Sequence, residues 1–335
     1  MNNNNYFNRY IYVVLLCFFG FILLSGCSGR KSTAYKNISN EKDIVIEPEK
    51  SDPEENNSND GKEELTVTQS SVAQDDEEIT IDKSENPPEI LHFVDVFGEQ
   101  YEVEINPLIP KHNYVSGNFQ RDGDKLYYND DYYTSRLGID VSYHQGDIDW
   151  NSVAEDGYEF AILRIGFRGY GKEGKINKDS KFEEYYNAAK EAGLDVGVYF
   201  FSQAISDDEA LEEADFVLDV LDGRELDLPV TYDPESILDA EARTDDVSGE
   251  QFTRNTELFC EKIRNGGYEP MIYSNMLWEA YNFDLTKFEG ITIWYADYEP
   301  YPQTPYRFDF FQYYNEARVK GISGVCDVDI QFIKN

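Results

Sequence analysis

From Arg136 to the end of the chain, short apolar runs alternate with longer stretches patterned for amphipathic helices, and this alternation restricts the fold more than any other feature. The strand candidates are Leu137–Val141, Phe160–Ile165, Val196–Phe201, Leu228–Asp233, Pro270–Ser274, Ile291–Ala296, Phe308–Tyr313 and Cys326–Ile330. Between them, Ser180-Lys181-Phe182-Glu183, Ser206-Asp207-Asp208-Glu209 and Ser248-Gly249-Glu250-Gln251 match the capping-box pattern that opens helices, and Gly193 and Gly266 suit helix C-termini. Strand, helix and strand in succession predict a parallel sheet. Eight strands in roughly two hundred residues predict an α/β fold, a TIM-like β/α barrel modified by shorter connections between its later strands. An open doubly wound sheet is the alternative that the pattern leaves.

In a barrel, chemistry sits where strands end at the C-terminal face. Asp140 ends the first strand candidate, Asp233 ends the fourth with Glu235 two residues on, and Asp327 lies at the eighth. Residues two apart on a strand point to one side, so Asp233 and Glu235 can both face the mouth. Tyr199, Tyr273, Trp294 and Gln312 fall at other strand ends. Acids ringed by aromatic side chains suit sugar cleavage, because carboxyl groups handle protons and oxocarbenium charge while flat rings stack on pyranoses. A single acid in a chain this acidic is far more often a solvated surface group, so the argument rests on four arriving together.

At these positions the chain resembles the glycoside hydrolase family 25 muramidases. The resemblance covers 136–335 and runs through "GIDVSYHQGDIDW" (138–150), "FAILRIGFRGYG" (160–171), "GVYFFSQA" (197–204), "LPVTYDPE" (228–235), "GYEPMIYSN" (267–275), "WYADY" (294–298), "FQYY" (311–314) and "GISGVCDVDIQF" (321–332). It implies hydrolysis of the β-1,4 bond between N-acetylmuramic acid and N-acetylglucosamine in peptidoglycan, with no cofactor or metal. Carried over by position, the general acid falls on Glu235, its partner carboxylate on Asp233, and two flanking acids on Asp140 and Asp327. Saccharide contacts fall on Tyr199, Tyr273, Trp294 and Gln312. Two positions depart from the family's pattern. Pro234 stands between the paired acids, where proline cannot donate to a sheet ladder, so the strand is expected to stop at Asp233 with Glu235 in the following turn. Phe311 replaces the usual tryptophan before Gln312, which weakens one packing or sugar contact and removes no proton-transfer group. Arg164 and Arg243 are candidates for balancing the acids or reading substrate carboxylates, with a salt-bridge role equally open.

The remainder of the chain speaks to compartment. Tyr10 to Leu24 is apolar, about fifteen residues where a membrane span needs about twenty, and it suits a signal-peptide core. It leads into Leu24-Ser25-Gly26-Cys27, which resembles the bacterial lipobox, so residues 1–27 are expected to be a lipoprotein signal with Cys27 lipidated and the rest of the chain membrane-anchored, facing the wall. Residues 28–90 hold 7 basic and 17 acidic side chains and one aromatic, Tyr35. That composition predicts a disordered tether, spanning roughly 50 Å by the flexible-chain estimate. Residues 91–135 alternate apolar and polar around Gly98 and again around Asp122-Gly123-Asp124, which predicts a small β-rich lead-in packed on the main domain.

The net charge of −37 excludes a nucleic-acid partner, since such binders present a basic face. The chain is expected to act as a monomer. Cys260 and Cys326, the only cysteines beyond the signal, are expected to be separate buried thiols. A zinc peptidase needs a histidine-rich ligand set, and only His92, His112 and His144 are present. A cysteine peptidase needs an available thiol beside a histidine. The reading that competes from another class is a non-catalytic glycan-binding wall lipoprotein, disfavoured because all four acids are retained.

Overall fold

The computed structural model describes residues 87–237, 239 and 242–335. Cys27, the expected signal segment and nearly all of the expected tether lie outside the described residues. The elements run β1 (Ile90–Val94), β2 (Gln100–Glu104), β3 (Phe119–Asp122), β4 (Lys125–Tyr128), β5 (Tyr133–Val141), α1 (Trp150–Glu155), β6 (Phe160–Arg168), β7 (Ile176–Lys178), α2 (Phe182–Glu191), β8 (Asp195–Ser202), α3 (Asp207–Leu221), β9 (Val230–Pro234), α4 (Gly249–Asn265), β10 (Pro270–Asn275), α5 (Met276–Tyr281), β11 (Thr292–Ala296), β12 (Phe310–Ala317) and β13 (Cys326–Lys334). Every strand expected from the apolar runs is present.

Eight strands close into a barrel in the order β5-β13-β12-β11-β10-β9-β8-β6, with β6 pairing back to β5 and β7 added outside as an antiparallel edge. The sheet is parallel from β5 through β12, but β13 runs antiparallel to both of its neighbours. The physical reason is the connection. Only residues 318–325 separate β12 from β13, and a parallel crossover needs a dozen or more residues. The expected shortening of the later connections is also visible earlier, since no α-helix lies between β11 and β12.

Strand periodicity divides the side chains into two layers. Along β6, Phe160 and Ile162 point into the barrel, where they pack with Met271, Trp294 and Phe310, while Ala161, Leu163 and Ile165 join the outer core under the helices. Burial on both faces is what a near-continuous apolar strand achieves inside a β/α layer. Helix α4 buries Phe252, Thr256, Phe259, Cys260 and Ile263 along one stripe. A fully buried Phe259 contributes about 1.5–3 kcal/mol relative to exposure.

The helix caps differ in detail from the capping-box expectation. Ser206 and Ser248 do accept from the third backbone N–H of α3 and α4, but Glu209 turns back to the Ile205 N–H, and the Gln251 amide reaches Asp207 and Asn255. At α2 no side chain of Ser180 or Lys181 caps the helix. Asp179 takes that place by accepting the Lys181 N–H, because its carboxylate is already held there by Arg164. Both domain cysteines are buried free thiols.

The lead-in forms two hairpins, β1–β2 and β3–β4. It is fastened to the barrel by Tyr114, which stacks on Phe332 at 3.9 Å and donates to the Phe308 carbonyl, and by the Tyr313 hydroxyl, which accepts the Leu126 N–H. Phe311 is fully buried in this outer layer against Phe308 and Tyr295. It is a packing residue and lies on the face of β12 opposite Gln312.

Gly138 in β5 marks the tightest point of the barrel floor, where an added Cβ would meet the Phe160 ring at 2.1 Å. Gly138→Ala is expected to lower stability by about 1–3 kcal/mol, the usual cost of overpacking, measured as a shift of the denaturant midpoint. An unchanged midpoint would mean that Phe160 can move aside without loss.

Candidate active site

The inward positions of the strands deliver the acids to one place. Asp140 is on β5, Asp233 is the next-to-last residue of β9, Glu235 follows Pro234 in the loop, and Asp327 enters from the start of β13, in register with Asp140. With Tyr199, Tyr273, Trp294, Gln312 and Arg164 they line a single cavity of about 50 Å³ at the C-terminal mouth. The structure therefore brings together all eight residues singled out for the site. Pro234 still pairs with Ser202 of β8, so the strand runs one residue further than expected, and Glu235 stands on the loop as anticipated.

Their surroundings differ in a way that separates their chemistry. Asp140 is buried and accepts from the Gln312 amide at 2.8 Å. The Gln312 carbonyl in turn accepts the Tyr273 and Tyr298 hydroxyls, each at 2.9 Å. Trp294 is buried, sits edge-on to Tyr273 at 4.9 Å, and donates its indole N–H to Asp329 at 2.8 Å. Trp294 and Gln312 are thus committed inward and orient their neighbours, while Tyr199 is the less buried ring at the mouth.

Asp329 is a fifth acid that sequence reasoning did not select. It is fully buried one pleat below Asp327, its Oδ2 has no hydrogen-bond partner, and burial and the neighbouring Asp140 raise it well above the usual carboxylate range. The signal available was the Asp327-Val328-Asp329 spacing, which puts both carboxyls on one face. Arg164 does line the cavity, with its Nε donating to Asp179 at 2.8 Å and its guanidinium over the Tyr143 and Phe167 rings at 4.9 and 5.0 Å. Arg243 does not reach the cavity; it pairs with Glu209.

Burial is the first cause of the shifts at the mouth, ahead of charge repulsion. It pushes Asp140 up to about 7, against the lowering hydrogen bonds from Gln312 and Asp329. Asp233 is raised well above the usual carboxylate range by burial and by Asp140, with Arg164 opposing. Glu235 is raised well above it by burial, Asp233 and Asp140, and nothing opposes. The carboxyls interact, and only Asp233 has a guanidinium opposing its rise, so of the pair Asp233 carries negative charge more readily than Glu235. Asp233 Oδ1 and Arg164 Nη2 are buried polar atoms with no hydrogen-bond partner. Among the described residues no group of three or more His, Cys, Asp or Glu is arranged to hold a metal ion.

Residues 139–322, more than half of the chain, match the signature of the glycosyl hydrolases family 25. The chain belongs to that family. It is similar to the autolytic lysozyme of Clostridium acetobutylicum, 28% identical over 193 residues that cover 57% of this chain and 54% of that protein. It is also similar to lysozyme M1 of Streptomyces globisporus, 39% identical over 66 residues, 20% of each. The fold is also similar to solved structures. The modular autolysin LytC from Streptococcus pneumoniae superposes with a TM-score of 0.54 at 18% identity, over 72% of this chain and 56% of that one. A family 25 glycosyl hydrolase from Bacillus anthracis gives 0.50 at 20%, over 63% and 94%. These structures share the fold. The chain spans about half the length of the first of its lysozyme relatives.

Because Asp140 binds a proton in the folded state up to about pH 7 and releases it near pH 4 when unfolded, the folded protein holds more protons in that window. The stability of the fold then falls as pH rises from about 4 through about 7. Asp140→Asn is expected to raise the melting temperature relative to the parent at pH 8, with the gap closing toward pH 4. A constant offset at every pH in a thermal unfolding series would refute that ionisation.

Proposed function

We propose that this chain is a muramidase that hydrolyses the β-1,4 bond between N-acetylmuramic acid and N-acetylglucosamine in peptidoglycan. The observation that carries this reading is the pairing of Glu235, whose surroundings all favour the protonated form, with Asp233, whose one opposing neighbour is the Arg164 charge. Such a pair gives a proton donor and an anion from two adjacent carboxyls near neutral pH. Family membership and the lysozyme relatives support the same bond and polymer.

In this mechanism Glu235 protonates the glycosidic oxygen as the bond breaks. Asp233 faces the positive charge that develops at the anomeric carbon and stabilises it, directly or by orienting the substrate's N-acetyl group. Its unpartnered Oδ1 is the atom available for that task. Asp140 and Asp327 stand beside the pair at the rim, and Gln312 and Trp294 hold Asp140 and Asp329 in place. Tyr199 and Tyr273 provide ring surface at the mouth. No cofactor enters any step. The barrel itself is read as a shortened relative of the TIM architecture, working as a monomer.

The compartment is part of the same proposal. The lipobox-like Leu24-Ser25-Gly26-Cys27 and the acidic stretch that follows favour a lipid-anchored enzyme facing the wall, held by the 28–90 tether. Cys27→Ser is expected to leave an unprocessed precursor or to release protein to the medium; unchanged processing and membrane partition would remove the lipid from the account.

Glu235→Gln keeps shape and hydrogen bonding but lacks the proton, so turnover on purified peptidoglycan is expected to fall about 10²- to 10⁴-fold with affinity nearly retained. Asp233→Asn is expected to be as severe. A substrate with an activated leaving group needs little protonation and should rescue Glu235→Gln far more than Asp233→Asn. Mass spectrometry of the soluble products should find N-acetylmuramic acid at the reducing end. Near-normal turnover of a folded Glu235→Gln, or N-acetylglucosamine at that end, would overturn the residue assignment or the bond respectively.

A further inference from the structure

The catalytic cavity is too small to bind a polymer. Its volume is about 50 Å³, whereas sites that hold small organic ligands enclose about 300–1,000 Å³. Next to it, on the β10–β12 side of the mouth, lies a groove of about 400 Å³ that shares Tyr273 with the cavity. Its inner wall is barrel, formed by Tyr273, Asn275 and Tyr298. Its outer wall is the tip of the β1–β2 hairpin, Val94 to Gly98, from a segment that lies before the family 25 match at 139–322.

That outer wall is built to stay in place. Gln303 accepts the Val94 N–H at 2.8 Å and donates to the Val94 carbonyl at 2.9 Å, imitating a strand pair, while the Gln303 N–H donates to Asp297 at 2.9 Å. At the tip, Asp95 accepts the backbone N–H groups of Phe97 and Glu99 at 2.9 Å each and the Tyr101 hydroxyl at 3.1 Å, and Gly98 takes the positive φ that the turn requires. The register of β12 slips twice between Gln312 and Ala317. Bulged strands bend away from their neighbours, and the displaced residues Asn315 and Glu316 become groove lining.

From this geometry we infer that the groove receives a neutral N-acetylhexosamine ring of the glycan strand, beyond the bond being cut, which makes the β1–β2 hairpin a substrate-binding wall. The inference rests on the proposed glycan substrate. No lysine or arginine lines the groove, whereas Asp95, Asp297, Glu299 and Glu316 do. Such a lining repels the carboxylates of lactyl groups and stem peptides and leaves an uncharged ring with an amide and hydroxyls as the fitting occupant. Tyr273, shared by groove and cavity, and Tyr298 in the groove both donate to Gln312, which donates to Asp140, so the groove wall is joined to the acids through one side chain. Binding energy gathered here would be available to hold the scissile bond at the acids.

The test measures glycan binding by full-length Glu235→Gln protein, which does not consume its ligand, using isothermal titration calorimetry. The probes are peptidoglycan strands freed of stem peptides, as tetrasaccharides and octasaccharides. Val96→Trp narrows the groove from the hairpin and Asn315→Trp from the barrel. Either folded variant is expected to bind the octasaccharide about tenfold more weakly while tetrasaccharide affinity is much less changed. Equal loss at both lengths, or no loss with either variant, would overturn the inference. So would a groove contribution that appears only with strands still carrying their peptides, since the occupant would then be peptide. If the parent chain binds long strands through the groove but never cuts them, the proposed activity fails and the groove stands.

Discussion

Strand β13 hydrogen-bonds to β12 along one edge and to β5 along the other, and that double pairing turns an open sheet into a ring. The same strand carries two of the five acids inward, Asp327 at the rim and Asp329 beneath it. Closure and chemistry are therefore one event. A strand that failed to dock would expose two sheet edges and also separate Asp140 from its register partner Asp327. Because β13 arrives antiparallel, its beginning lies at the mouth, and residues at its start occupy the level that strand ends supply elsewhere in the barrel.

Burial accounts for the electrostatics of the mouth more than the chain's acidity does. The large negative charge is spread over a solvated surface where each charge is screened. At the mouth, Asp140, Asp233 and Asp329 are buried and Glu235 is half-buried, and burial first and then their neighbours push all four upward. One guanidinium, Arg164, breaks the symmetry by favouring charge on Asp233. Arg164 is itself kept in place by Asp179 and by the aromatic faces of Tyr143 and Phe167.

Much of this was legible in the chain. Apolar runs revealed all eight barrel strands, and strand-end position with period-two alternation brought Asp140, Asp233, Glu235 and Asp327 to one mouth. Strand direction was not legible from apolar runs, which read the same both ways; only the short link 318–325 carried it. Asp329 was hidden because an acid below the rim looks like an alternate on the same strand, and its meaning depends on Trp294 and Asp140 arriving from distant elements. Ser180 looked like a cap because local sequence cannot show that Asp179 is already fixed by Arg164. The groove was illegible for the same reason: it exists only where the hairpin meets the loop after β11.

The bonds around Gln312 have a fixed polarity. Two phenols donate to its carbonyl and its amide nitrogen donates to Asp140, so a flip would set the amide oxygen against the Asp140 carboxylate. A primary amide gives up no proton on the timescale of catalysis. Gln312 therefore transmits position but not protons, as an insulating spacer between two conductors would. Movement of Tyr298 on the groove side can be felt at Asp140 as a change in geometry, while protons on the acids stay on their side of the wall.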